Sequence, residues 1–124
     1  EAGLDHAIKI NKNVNFIGKK YLISTNQKKR KKLISFVLNN SKPGSPLLLH
    51  DEPIYYNNKI VGETTSSNYS FCYDKSMIFG YIKDDIDINN LNGGIFEVEV
   101  EKNKYKISVV SKPLHDPKNT YTKI

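Results

Sequence analysis

From Lys32 onward, apolar residues recur in short runs at every second position and rarely at the three-to-four spacing of a helix. That periodicity predicts half-buried strands. KLISFVL (32–38) is the first, and a short second strand, 47–50, follows the turn region 39–46. PIYY and KIVGETT come next, separated by Asn57-Asn58, and asparagine tolerates the positive φ that a tight hairpin needs. The polar stretch SSNYS predicts a loop. KSMIFGYI (75–82) predicts another strand, which ends before the acidic loop 83–92. After Gly93-Gly94, Phe96, Val98 and Val100 alternate with Glu97, Glu99 and Glu101. Beyond Lys102-Asn103, Tyr105, Ile107 and Val109 alternate with Lys104, Lys106 and Ser108. Across that hairpin the three glutamates can face lysines, each pair worth about 0.2–1 kcal/mol and serving register more than stability. Six or seven short strands joined by hairpins imply an all-β sandwich or a small closed barrel, and periodicity does not separate the two.

Residues 1–30 read differently. Leu4, Ala7 and Ile8 are apolar, Ile8 and Ile10 alternate, and Phe16-Ile17-Gly18 opens a short helix over 19–25. So little here can pack that the segment reads as a linker leaving a preceding domain, with the barrel or sandwich in 31–124. The chain opens at Glu1 without a methionine, so a trimmed piece is expected and targeting is not legible. With 124 residues it forms one domain of ordinary size. No apolar run approaches the roughly 18 residues of a membrane span. Cys72 is the single cysteine and has no Cys or His at metal-ligand spacing, so a reducing, cytoplasmic interior is expected.

The net charge of +6 invites a nucleic-acid reading that the residue types weaken. Of the 19 basic residues only Arg30 is arginine, and nucleic-acid interfaces lean on arginine for bidentate and stacking contacts. The abundance of Lys, Asn and Ile follows from A/T-rich codons without any ligand. The dense cluster Lys28, Lys29, Arg30, Lys31 and Lys32 reads as a solvated connection entering a strand, with a polyanion site as the alternative.

One ordered set of residues goes further. VG at the start of KIVGETT, TTS at its end, KS opening the next strand and GY closing it (61–81) resemble the C-terminal barrel of the aminomethyltransferase (glycine-cleavage T-protein) superfamily. Within that superfamily the stretch looks most like the folate domain of dimethylglycine and sarcosine dehydrogenases. Glu1-Ala2-Gly3-Leu4, Lys9, Phe16-Ile17-Gly18-Lys19 and Leu22 resemble the family segment leaving the folate-binding core. Pro113, Asp116, Pro117 and Asn119 resemble its closing Pro-Leu/Phe-x-Asp-Pro-x-Asn segment. The resemblance implies a six-stranded Greek-key barrel with a short N-terminal linker carrying a small helix. It also implies one-carbon transfer from an N-methyl amine to tetrahydrofolate, with FAD in a separate upstream domain. The family's catalytic aspartate and most pterin contacts belong to the preceding folate-binding domain, so this piece is expected to be inactive alone. Two alternatives stay open: a folate-binding, non-catalytic module in RNA modification or iron–sulfur assembly, and a related sulfonium demethylase.

Two residues are singled out as folate-adjacent. His6 follows Gly3-Leu4-Asp5, where relatives tend to carry Trp or Tyr, and an imidazole can stack on a pterin less extensively than indole. Its alternative is a linker histidine packed on the preceding domain. Tyr121 lies in an Asn119-Thr120-Tyr121-Thr122 tail resembling a family segment whose tyrosine reaches the folate, and its alternative is a disordered terminus. Tyr69 is expected in the SSNYS loop, over the barrel rim or against a partner domain. At Ser67 the family usually has glycine, which puts the turn geometry in question. Cys72 reads as a small packing residue rather than a nucleophile. His50 and His115 sit beside Asp51 and Asp116, but a metal needs three or four converging ligands. Asp116-Pro117 reads as turn chemistry, and no nucleophile-elbow signature supports a Ser/His/Asp triad.

Overall fold

The computed structural model describes residues 1–25, 30–89, 93–118 and 120–121. A single 3₁₀ turn, Asp5–Ala7, and helix α1, Lys19–Thr25, precede six strands. These are β1 (Lys31–Leu38), β2 (Pro53–Tyr56), β3 (Lys59–Ser70), β4 (Lys75–Lys83), β5 (Phe96–Val100) and β6 (Asn103–Val110). They close into one antiparallel barrel in the order β1-β4-β3-β2-β5-β6, with β6 returning to β1. Three hairpin-linked strands, β2 to β4, with β1 beside β4 make the Greek key. Closure gives every strand a partner on both sides, which is why such short strands can form a stable unit.

Alternation sets the inside of the barrel. Phe36, Leu38, Ile54, Ile78, Ile82 and Val98 are buried completely or nearly so, and Phe96 meets Phe36 edge-on at 5.4 Å. On β5 and β6 the intervening positions are polar, with Glu97 opposite Lys106 and Glu99 opposite Lys104. The third glutamate, Glu101, has no facing lysine. It forms the turn with Lys102, and the two have φ of 51° and 65°. Lys104 lies over the Tyr55 ring at 3.9 Å, and the Tyr55 hydroxyl donates to Glu99. The expected positive φ at Asn57 (49°) and Asn58 (64°) is present in the β2–β3 turn.

Four local expectations need correction. SSNYS is not a loop. It continues β3, where Ser67 faces Ile78 and Tyr69 faces Ser76, and the turn is 71–74 instead. A register shift between Thr64 and Ser66 carries the ladder past the Thr-Thr-Ser step, so polar side chains can ride on the outer face. Residues 47–50 form no strand, because their backbone bonds go elsewhere. Leu49 N–H donates to the Glu52 carboxylate, and the next ladder-like bonds are Asp51 N–H to Thr64 O and Thr64 N–H to Glu52 O. Cys72 is exposed in the 71–74 turn and packs nothing. Finally, the basic cluster is not simply a solvated connection. Lys31 and Lys32 belong to β1, and Lys32 Nζ donates to the carbonyls of Asp84 (3.1 Å) and Ile86, clamping residues 84–86. Lys28 and Lys29 lie outside the described residues.

Candidate functional site

The residues of the family-like motif turn out to be the fasteners of the barrel. A Cβ on Gly62 would stand 1.9 Å from the Tyr81 carbonyl oxygen. One on Gly80 would meet Ile54 Cδ1 at 2.5 Å and Glu63 O at 2.8 Å. The glycines of VG and GY therefore let β3, β4 and β2 approach one another. Thr64, the first residue of TTS, is fully buried. Its hydroxyl accepts from Glu52 N–H at 3.0 Å and donates to the Glu52 carboxylate. Ser76 of KS is buried, and its N–H donates to Ser41 Oγ at 2.8 Å. Ser67 Oγ donates to Leu48 O at 2.7 Å, tying β3 to the 47–52 strap. A side-chain hydroxyl at 67 thus does what a glycine could not.

The two folate-adjacent candidates stand at the chain's ends. His6 is exposed in the 3₁₀ turn. Tyr121 is 76% exposed but positioned: its N–H donates to Asp116 at 2.9 Å and its ring stacks on His115, centroids 6.0 Å apart. Asp116 also accepts from the Thr120 N–H and hydroxyl, both at 2.6 Å. The Thr120 hydroxyl bond, followed by the two N–H groups, holds the Asp116 carboxyl below its ordinary pKa. Asp116-Pro117 is turn chemistry as expected, with a further effect the sequence did not reveal: it builds a hook that presents an aromatic pair. No hydrogen bond or ring contact joins His6 to Tyr121 among the described residues. Asn119 and residues 122–124 of the tail motif lie outside them.

Tyr69 meets Phe71 edge-on at 5.1 Å and donates to Asp74 at 2.8 Å, closing the hairpin tip. His50 pairs with Asp51 at 2.7 Å. Among the described residues no three His, Cys, Asp or Glu side chains group for a metal ion. An open groove of about 580 Å³, lined by Asn39, Phe96, Lys106, Ile107 and Ser108 among others, includes neither His6 nor Tyr121. No helix among the described residues is long and apolar enough to cross a membrane.

The barrel is matched in known proteins. The family model described as the glycine cleavage T-protein C-terminal barrel domain matches residues 31–116. Human mitochondrial dimethylglycine dehydrogenase is 32% identical over 117 residues, covering 92% of this chain and 13% of that protein. The mitochondrial pyruvate dehydrogenase phosphatase regulatory subunit of mouse is 27% identical over 117 residues, covering 86% of this chain and 13% of that protein. The crystal structure of glycine cleavage system aminomethyltransferase T from Bartonella henselae superposes with a TM-score of 0.68 at 19% identity, over 89% of this chain and 30% of that one. At that identity the likeness shows the fold alone. The chain thus spans only about an eighth of the length of these two curated relatives.

Proposed function

We propose what this chain does from the premise that it belongs to the glycine cleavage T-protein C-terminal barrel family. It is the closing barrel of a longer, tetrahydrofolate-dependent enzyme of the dimethylglycine or sarcosine dehydrogenase type. There it supports one-carbon transfer from a methylated amine and does no chemistry alone. The observation that carries this is the 32% identity to a dimethylglycine dehydrogenase over 92% of the chain. In this reading residues 1–30 link to a preceding folate-binding domain and 31–124 form the barrel. FAD, if used, sits in a further upstream domain.

The described residues fit a partial folate wall rather than a complete site. They offer exposed rings, His6 and the His115–Tyr121 stack, and no buried side-chain polar atom lacks a partner that a pterin would supply. His6 and Tyr121 are the residues that would face the folate from this side; the rest of the pocket belongs upstream. Titration of the complete protein with tetrahydrofolate or a stable folate analogue tests this. Saturable binding is expected, weakened roughly tenfold, or about 1.4 kcal/mol, by His6→Ala or Tyr121→Ala. No binding at millimolar folate overturns the reading.

A second reading is favoured by one finding: a relative of similar coverage is named a phosphatase regulatory subunit. A non-catalytic module would bind folate without methylamine-dependent reduction of an acceptor dye, which separates it from the first reading. Turnover of a sulfonium compound in place of the amine would mark a demethylase. For compartment, the one exposed thiol fits a reducing interior, and the names of both mammalian relatives point to the mitochondrion as well as the expected cytoplasm.

A further inference from the structure

The barrel has two outer faces of opposite character. Across β5 and β6 the outward side chains are Glu97, Glu99, Lys104 and Lys106, the alternation of a sheet with one face in water. On β4 the outward positions are Met77, Phe79 and Tyr81, alternating with buried Ser76, Ile78, Gly80 and Ile82. Leu33 and Val37 of β1 lie beside Tyr81 and Met77, and Val110 of β6 flanks Ser35, whose other neighbour is Phe79. Together they make a mainly apolar face, interrupted at Ser35 and bordered on β3 by Ser66 and Asn68, with Phe79 43% exposed near its centre. Helix α1 buries none of its own residues, so it does not shield the patch. Apolar patches of this kind mark interaction sites rather than solvated surface.

Its edges are charged. Lys31 stands directly opposite Lys83, a like-charge pair that costs stability, and Lys75 stands at the other end of the stripe. Glu63, 3.6 Å from Lys31, is the nearby acid. The start of the chain lies at the patch margin. β6 pairs with β1 only from Ser35, and on the edge left over Leu33 N–H donates to Glu1 O, while Arg30 N–H donates to the Glu1 carboxylate. Any polypeptide upstream of Glu1 therefore emerges beside Leu33. A domain tethered there meets this face at high effective concentration.

We propose that the outer face of β1 and β4, centred on Phe79, is the docking surface for the domain that precedes Glu1 in the same polypeptide. The partner is an apolar surface bordered by carboxylates that answer Lys31, Lys83 and Lys75. This rests on the reading of the chain as the closing domain of a longer protein, which the 13% coverage of its relatives supports.

The test places a photo-reactive benzoyl-phenylalanine at position 79 of the full-length protein, mixed with an isotope-labelled copy, and maps the cross-linked peptides. Expected are same-chain cross-links to sequence upstream of Glu1, at least tenfold more abundant than with the analogue at Lys106. Cross-links to residues 1–25, to the other copy, or none above the Lys106 level overturn the proposal. The analogue at Met77 gives the same readout should the position-79 variant fail to fold. Folate is absent from the experiment, so a failed folate titration leaves its outcome intact.

Discussion

The glycines that mark the family-like motif should be the least replaceable positions of the barrel, and Gly62→Ala tests why. The added Cβ would lie 1.9 Å from Tyr81 O, 2.8 Å from Ile82 Cα and 2.9 Å from Tyr81 C, all backbone atoms that no rotamer change can move. Reaching even a 3.0 Å approach requires β3 and β4 to part by about 1 Å at the Gly62–Ile82 pair. Because β3 also pairs with β2 there through Ile54, both seams must give. Overpacking of this kind costs about 1–3 kcal/mol. Loss of one or two ladder bonds adds about 1 kcal/mol each, for roughly 2–5 kcal/mol in all. With a urea slope of about 1–3 kcal/mol/M, the unfolding midpoint should fall by about 0.7 M or more. Gly44→Ala is the control. Gly44 has a φ of +71° but no atom within 4 Å of its would-be Cβ, so only the left-handed strain of roughly 1–2 kcal/mol applies. Urea unfolding of the full chain, followed by circular dichroism and tyrosine fluorescence, measures both. A Gly62→Ala cost under 1 kcal/mol, or one no larger than that of Gly44→Ala, would refute the close-approach argument.

Other consequences follow from single contacts. Thr64→Val removes the acceptor for Glu52 N–H and the donor to its carboxylate, so a loss of about 1–3 kcal/mol is expected, with faster exchange of the Asp51 and Thr64 amides. Glu101→Asn with Lys102→Gly should raise the melting temperature by removing positive-φ strain of about 1 kcal/mol or more from a turn where both residues are left-handed. The Asp116 carboxyl sits below its ordinary pKa. The hook's share of stability is therefore fully present above the normal aspartate range and is lost as pH falls through the lowered value, which the Thr120 amide resonance should report. Tyr55 is shifted upward by its bond to Glu99, so its phenol should ionise at higher pH than an ordinary tyrosine, and Glu99→Ala should bring the ultraviolet titration back down.

Period-2 alternation was enough to read β5, β6 and the β2–β3 hairpin, because there one face is water and the other is core. It failed where polarity and backbone pairing part company. SSNYS is polar on both faces yet lies in β3, since each residue has a partner on β4 and a bulge absorbs the Thr-Thr-Ser step. The leucine run at 47–49 is apolar yet no strand, since the Glu52 carboxylate takes the Leu49 N–H and the Ser67 hydroxyl takes the Leu48 carbonyl. Neither outcome is a matter of propensity. Both depend on which groups come to lie opposite the backbone once the chain has turned back on itself, and pairing of that kind overrides local pattern.

The candidate site was legible only as a pair of ends. His6 and Tyr121 were reached through resemblance, and the structure adds what no spacing contains: Asp116 reaches the backbone of Thr120 and Tyr121 and seats the tyrosine on His115. KSMIFGYI carries a further signal. FEVEV alternates and faces water on one side, whereas Met77, Ile78, Phe79, Tyr81 and Ile82 are apolar on both sides of one strand. A strand apolar on both faces reads as one covered on both faces. The barrel interior accounts for the inner row, and the outward row Met77, Phe79 and Tyr81 is the part of this run on which the proposed docking surface rests.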